Sequence, residues 1–375
     1  MRVIIKIGSS SLVNSDKSIN SYNIEKLISI IKKLREEKHE VLLVTSGAVA
    51  LGMNKLKLDK KPKDISVKQA LAATGQVALM QTYEKYCMDN GFLCAQILLS
   101  RDDFENRERM VNLSNTIETL FLNNVLPIVN ENDAITIHEI KVGDNDTLSA
   151  QLVPMIDAKV LVLVSDIDGL YDKNPKEYKD AKLIKEVDEI TEDTYKMAGS
   201  KITSVGTGGI TTKLNAASIA TSAGANMYIV DAKCLDNIIS AVNGTFYGTL
   251  FKRTDKKIPS RLHWLIYKTI AKGDVIIDDG AKNAILNHKS LLAVGIKEIK
   301  GEFLKDSVVY IKDLNENILA KGISNYSSDE IKLIKAKKSE DIKEPFVKMR
   351  KEEVIHADDI IILMGENYGK VGKWY

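Results

Sequence analysis

The sequence predicts an α/β protein: a three-layer α/β/α sandwich with a mostly parallel sheet, followed by a small β-rich domain. Three observations predict it. Over the first 250 residues, short β-branched runs alternate with stretches of helical periodicity. The strand candidates are nearly continuous apolar runs, which suit parallel strands buried on both faces. A polar segment containing Pro259, residues 252–261 (KRTDKKIPSR), then breaks the pattern, and short strands between glycines and charged turns follow it. The expected organisation is a first domain over residues 1–251, a linker over 252–261 and a second domain over 262–375.

The elements justify themselves in order. Val3-Ile4-Ile5-Lys6-Ile7 is a buried strand ending in Gly8, and Ile24, Leu27, Ile28, Ile31 and Leu34 then follow helical spacing. Val41–Val44 is the next strand, closed by Thr45-Ser46-Gly47. A long helical stretch over 66–90 leads to a strand at Cys94–Leu99. Further strands are expected at Val125–Val129, Lys159–Val164 and Ala225–Val230, the last preceded by the alanine-rich stretch Thr212–Ala223. In the second domain, Asp274–Ile277, Ser307–Ile311 and Ile318–Ala320 read as short strands.

Composition removes several function classes. The formal net charge of +2 over 375 residues gives no general attraction to nucleic acid or membranes. Cys87, Cys94 and Cys234 are an odd set without metal-type spacing, and they read as buried structural thiols. No stretch reaches the roughly 18 apolar residues of a membrane span, and the N-terminal run reads as a strand rather than a signal peptide. A cytoplasmic protein is expected.

Ligands of open α/β sheets bind beyond the carboxyl ends of the strands, so the residues that follow each strand matter most. Lys6-Ile7-Gly8-Ser9-Ser10 offers backbone N–H groups and a positive charge to a phosphate; a lysine at a strand end is equally a solvated charge. Thr45-Ser46-Gly47-Ala48 fits a helix N-terminus that receives an anion, or simply a capped turn. Asn130-Glu131-Asn132-Asp133-Ala134 suits a small polar substrate, or is a surface turn. Asp144-Asn145-Asp146 stands before a helix expected at Thr147–Ile156, where it either caps the helix or organises lysines and metal in a phosphate site. Ser165-Asp166-Ile167-Asp168 is an acidic loop fit for a nucleotide, and otherwise an ordinary turn. Gly206-Thr207-Gly208-Gly209-Ile210-Thr211-Thr212-Lys213 places glycines, hydroxyls and a lysine at a helix start, but it is neither a P-loop nor a dinucleotide fingerprint.

The five histidines are His39, His138, His263, His288 and His356, and none lies inside these motifs. A reaction without a histidine base is therefore favoured. Phosphoryl transfer onto a carboxylate meets that condition, because the acceptor is already ionised and needs charge neutralisation and in-line positioning rather than deprotonation. Lys6, Lys213 and magnesium would supply the neutralisation.

The order K-x-G-S-S, V-T-S-G-A, N-E-N-D-A, K-V-G-D-N-D, S-D-x-x-G-L-Y and G-T-G-G-x-x-T-K resembles the glutamate 5-kinase family of the amino acid kinase superfamily, over roughly residues 1–365. Each motif is weak alone; six in order are specific. The resemblance implies an enzyme that uses ATP and Mg2+ to phosphorylate L-glutamate, the first step towards proline. It implies that Lys6 and Lys213 act on the phosphates and that Asp146 holds the two lysines. Ser46, Asp133 and Asn145 would bind glutamate. Ser165, Asp166 and the run Thr207, Gly208, Gly209, Ile210, Thr211, Thr212 and Lys213 would line the ATP site, with no metal-ligating residue assigned. It further implies feedback by proline near residues 100–109 (SRDDFENRER), a homo-oligomer, and a reductase that takes the unstable acyl phosphate.

The tail resembles a PUA domain through Asp278-Asp279-Gly280-Ala281, Gly295-Ile296-Lys297 and Gly322-Ile323-Ser324-Asn325-Tyr326, which implies that the β-rich domain is a pseudo-barrel. Three departures stand out: Ser165 where threonine is common, Asp168 as an added carboxylate, and Lys305-Asp306-Ser307 where a glycine-containing turn is usual.

Two alternatives belong beside this reading. One is a sibling kinase acting on acetylglutamate, aspartate, carbamate or a nucleotide monophosphate. The other is RNA binding through the tail. From Leu262 to Tyr375 there are 19 Lys and Arg against 18 Asp and Glu, a net of +1, whereas RNA-binding modules carry a clear basic face. Lys332, Lys335, Lys337 and Lys338 cluster, and Trp264 and Trp374 are available for stacking, but a regulatory or oligomerising tail fits the neutral balance better.

Overall fold

The computed structural model describes residues 1–60, 62–104, 106–135, 145–173, 175, 177–197, 209–245, 247–254, 271–337 and 352–363. The chain divides into two compact units, residues 1–257 and 258–375.

The first unit is built on ten strands: β1 (Arg2–Ile7), β2 (Glu40–Val44), β3 (Cys94–Leu99), β4 (Leu126–Glu131), β5 (Val160–Ser165), β6 (Leu170–Tyr171), β7 (Leu183–Ile184), β8 (Glu186–Val187), β9 (Asn226–Asp231) and β10 (Thr249–Phe251). Eight of them form one sheet in the order β3-β4-β2-β1-β5-β9-β10-β8. The run from β3 to β9 is parallel throughout, β10 is antiparallel to β9, and β8 pairs parallel with β10. All six residues of β5 are buried, as are the last five of β1. Alternate side chains of a strand point to opposite faces, so helices cover both faces. This is the three-layer, mostly parallel architecture the apolar runs predict.

The helices are α1 (Ser9–Leu12), α2 (Ser21–Glu36), α3 (Ala48–Lys55), α4 (Ile65–Asp89), α5 (Arg107–Leu122), α6 (Asn145–Ile156), α7 (Glu192–Met197), α8 (Ile210–Ser222) and α9 (Asn237–Val242). The apolar stripe read in the sequence is the buried face of α2: Ile24, Leu27, Ile28, Ile31 and Leu34 are fully buried. Asn20 caps this helix by accepting from the Asn23 backbone N–H at 3.1 Å.

Helices α3 and α4 meet backbone to backbone. A Cβ on Gly75 of α4 would lie 1.8 Å from the Ala48 carbonyl oxygen, and one on Gly52 of α3 would lie 2.0 Å from that of Leu71. No side chain fits at either position, so two glycines set how close the helices come.

Two expectations need correction. Helix α6 begins at Asn145, two residues before the expected start, so Asn145 and Asp146 are its first two residues rather than a loop before it. Cys87 is buried and Cys94 half-buried, but Cys234 is exposed, in the turn after β9. Burial of all three thiols therefore fails at Cys234.

The second unit holds β11 (Asp274–Ile277), β12 (Leu291–Leu292), β13 (Ile296–Lys300), β14 (Val308–Lys312), β15 (Ile318–Ile323), β16 (Glu353–Ile355) and β17 (Ile360–Ile362). Five of them form a sheet in the order β13-β11-β14-β15-β17, and β12 pairs with β16. Its core gathers Val275, Ile277, Val309, Ile311, Leu319 and Ile355. Asp306, in the segment where a glycine-containing turn is usual, has φ of +65°. An aspartate thus takes the left-handed conformation that glycine adopts most readily. Trp264, Trp374 and Lys338 lie outside the described residues.

Candidate active site

Strand β1 is central, with β2 on one side and β5 on the other. Where strand order diverges in this way, the carboxyl ends frame a crevice. Register puts Lys6 beside Val44 of β2 and Leu163 of β5. Ser46 and Ser165 each stand two residues beyond those partners, so the strand-end motifs share one edge of the sheet.

Asp146 is the centre of the charged group. It is 1% exposed, and its two oxygens meet two lysines: Lys6 Nζ at 2.5 Å from Oδ1 and Lys213 Nζ at 2.9 Å from Oδ2. Lys6 comes from β1, Asp146 from the first turn of α6 and Lys213 from the first turn of α8. Residues about 140 and 70 positions apart in the sequence are brought into contact at once.

Burial pushes the Asp146 carboxyl up, but the charges of Lys6 and Lys213 outweigh it and hold the group below its ordinary range. Burial also lowers the Lys6 ammonium, which Asp146 opposes and the like charge of Lys213 reinforces. Both directions follow from one carboxylate shared by two cations: Asp146 has two partners, each lysine has half of one. The trio carries a net +1 in a desolvated place and attracts an anion strongly.

Helix starts add to that attraction. Gly209 caps α8 at φ +94°, and Gly47 caps α3 at φ +105°. Only glycine takes these angles without strain. Thr212 Oγ1 donates to the Gly209 carbonyl at 2.9 Å and lies 3.3 Å from Asp146 Oδ2. The starts of α3, α6 and α8 are tied together by these contacts and by those of Asn145, and each presents unpaired backbone N–H groups.

Beside the charged trio lies an uncharged network. Asn145 Nδ2 donates to the Thr45 carbonyl at 2.8 Å, to Ser46 Oγ at 2.7 Å and to Asn130 Oδ1 at 3.1 Å. Asn130 Nδ2 donates in turn to Gln76 Oε1 on α4 at 2.8 Å. Thr45 Oγ1 and the fully buried Tyr83 hydroxyl are 2.8 Å apart. Burial raises the Tyr83 pKa well above its ordinary value, so the ring stays neutral here.

The remaining sequence-predicted residues fall around these groups. Ser165 ends β5, is buried, and donates to the exposed Asp166 at 3.2 Å. The charge of Asp166 reaches Lys6. Asp168 accepts from the Tyr171 hydroxyl at 2.9 Å, and burial together with that carboxylate pushes the phenol up to about 12. Asp133 lies in the turn just past β4, which the Asn132 backbone N–H ties to the Leu99 carbonyl at 2.7 Å. Thr207 and Gly208 lie outside the described residues, as does Asp144; Gly209, Ile210, Thr211, Thr212 and Lys213 form the cap and first turn of α8.

Sequence reasoning missed Gln76 as a site residue. The available clue was its position: it shares the buried face of α4 with Ala72, Leu79 and Tyr83, where a polar side chain is out of place.

A parallel sheet with a buried lysine pair at its carboxyl edge defines a protein that handles a phosphate group. A sequence profile of the amino acid kinase family matches residues 1–231, and one of the PUA domain matches residues 273–346. The chain belongs to the amino acid kinase family. Along its full length it is similar to proteins named glutamate 5-kinase. The one from Thermoanaerobacter sp. (strain X514) is 42% identical over 372 residues, 98% of this chain and all of the relative. That of Dictyoglomus thermophilum is 41% identical over 365 residues, 96% of this chain and 97% of the relative. That of Idiomarina loihiensis is 39% identical over 364 residues, with the same coverage. A solved carbamate kinase from Giardia lamblia bound to AMP-PNP aligns at 16% identity and a TM-score of 0.49, covering 68% of this chain and 98% of its own.

Proposed function

We propose that the protein transfers the terminal phosphoryl group of ATP to the side-chain carboxylate of L-glutamate, giving glutamyl 5-phosphate for proline synthesis. The observation that carries this reading is the buried Asp146 shared by Lys6 and Lys213. The full-length similarity to proteins named glutamate 5-kinase supports the choice of substrate.

In this reading a glutamate carboxylate oxygen bonds to the terminal phosphorus as the bond to the bridging oxygen breaks, and ADP leaves. The acceptor is ionised at neutral pH, so no base is required. The difficulty is bringing two anions together. Lys6 and Lys213 offset the charge on the phosphoryl oxygens, and Asp146 keeps both ammonium groups in place before substrate arrives. Ser46, Asn145 and Asp133 bind the amino acid. Ser165, Asp166 and the run from Thr207 to Lys213 receive the nucleotide.

Magnesium would accompany the ATP. Among the described residues no three His, Cys, Asp or Glu side chains gather into a cation site. Asp146 gives both oxygens to lysines and Asp168 accepts from the Tyr171 hydroxyl, which leaves Asp166 among the carboxylates described at the β5 end. One carboxylate with phosphate oxygens and waters suits magnesium. The ion would neutralise phosphate charge.

The same reading includes feedback by proline near residues 100–109, where Asp103 accepts from the Ser100 backbone N–H at 2.6 Å and pairs with Arg109 at 2.8 Å. It also includes a homo-oligomer and delivery of the labile product to a reductase.

The test is magnesium-ATP turnover with hydroxylamine present to trap acyl phosphate, over glutamate, acetylglutamate, aspartate, carbamate and uridine monophosphate. Hydroxamate from glutamate alone, suppressed by proline, is the expected result. Turnover with another substrate instead would move the chain to a sibling activity on the same lysine chemistry.

A further inference from the structure

Donor and acceptor roles in the uncharged network are fixed by two backbone groups. The Glu131 backbone N–H can only donate, and it meets Asn130 Oδ1 at 2.9 Å. The Thr45 carbonyl can only accept, and it meets Asn145 Nδ2 at 2.8 Å. With Asn130 Oδ1 so assigned, its Nδ2 must face Gln76, and Gln76 must answer with Oε1, as it does at 2.8 Å. Turning over Gln76 or Asn130 would set donor against donor, and turning over Asn145 would set acceptor against acceptor. Of the atoms of these three amides, two buried ones then have no hydrogen-bond partner among the described residues: the acceptor Asn145 Oδ1 and the donor Gln76 Nε2. A bare acceptor of this kind suits an ammonium group, and a bare donor suits a carboxylate.

We infer that Gln76, on α4, is a positioning residue for the amino acid: by accepting from Asn130 it holds Asn130, and through it the Asn145 amide, in the one orientation that presents Asn145 Oδ1 to substrate. Gln76 is 8% exposed and Asn130 2%, so water is poorly placed to replace the bond. The inference rests on the proposed phosphorylation of glutamate. It adds that recognition of the amino acid extends through two amides into a helix that contributes none of the charged residues.

The experiment measures hydroxamate formation by full-length wild type, Gln76→Met, Asn130→Ala and the double variant, varying glutamate and ATP separately. Losing a buried acceptor should raise the KM for glutamate about tenfold in Gln76→Met, with the KM for ATP within about twofold. In the Asn130→Ala background the same change should add less than about threefold, because the bond it removes is already gone. Should Gln76→Met fail to fold, Gln76→Ala, which leaves space rather than bulk, is expected to show the same split and the same loss of effect without Asn130. A glutamate KM that does not move, ATP and glutamate KM values that rise together, or an equal penalty in both backgrounds would each overturn the inference while leaving the activity intact. A wild type that forms no hydroxamate from glutamate would instead overturn the proposed activity, and the inference with it.

Discussion

At the scale of single residues, Asp146 decides most of what the site does. Lys213→Ala should lower kcat by about 100-fold or more while the KM for glutamate changes by less than about threefold, since the lysine matters most as charge moves onto the transferred group. Steady-state kinetics with each substrate varied checks this; unchanged turnover would remove Lys213 from its role. Asp146→Asn leaves two buried ammonium groups without a counter-charge, which costs about 3–5 kcal/mol in comparable buried pairs. The wild-type carboxyl titrates below its ordinary 3.8, so its contribution is present in full above that value and is lost as the pH falls through the depressed one. Thermal melts should show the widest gap between wild type and variant near neutrality and a closing gap in acid. Lys6, Ser46, Asn145, Asp146 and Lys213 were candidates in the sequence because each lies in a motif that ends a strand or opens a helix, where an open α/β sheet binds ligands, and the resemblance supplied their proposed roles. Gln76 was not. Nothing local separates it from the other polar residues of α4, and its partner Asn130 lies 54 positions away.

At the scale of elements, the close approach of α3 and α4 links stability to the site. Gly75→Ala puts a methyl group into the Ala48 carbonyl, and backbone cannot rotate away as a side chain can. Overpacking of this kind costs about 1–3 kcal/mol or more. Because α3 begins directly after Ser46 and Gly47, the shift should also raise the glutamate requirement. Val77→Ala, two residues along on the exposed face of α4, is the control and should change stability by less than about 0.5 kcal/mol. Equal melting temperatures for the two variants would mean that the helices separate without penalty. The buried parallel strands β1 to β5 and β9 were readable to within a residue or two, since they declare themselves as apolar runs, and Cys94–Leu99 was placed at its actual limits; the short β6, β7, β8 and β10 carry no such run and were not foreseen. The start of α6 was not. Asn145 and Asp146 have the composition of a cap, and only the contacts of Asp146 with β1 and α8 show why they lie inside the helix.

At the scale of the whole molecule, the chain pairs a unit that carries every assigned catalytic group with a second unit that carries none. On the proposed reading, in which proline inhibits and the chain forms a homo-oligomer, a chain ending at Lys257 should keep hydroxamate formation but lose the proline response, the oligomeric state, or both. Turnover at several proline concentrations, with light scattering for mass, reads both outcomes. If neither changed, the regulatory reading of the second unit would fall, and salt-dependent RNA binding would be the next property to measure. The position of Asp306 shows why this unit is harder to read from sequence: the turn takes a left-handed backbone at an aspartate, without the glycine that would signal it.

The sharing of one carboxylate by two lysines also constrains how such a sequence can change over generations. Losing Asp146 leaves the buried Lys6 and Lys213 facing each other without a counter-charge, whereas losing one lysine leaves Asp146 paired with the other. Combined substitutions should therefore show sign epistasis in stability: replacing Lys6 or Lys213 by a neutral residue, a loss in the native background, becomes restorative once Asp146 is gone. In terms of stability, a change at Asp146 is thus tied to a change at one of its lysines.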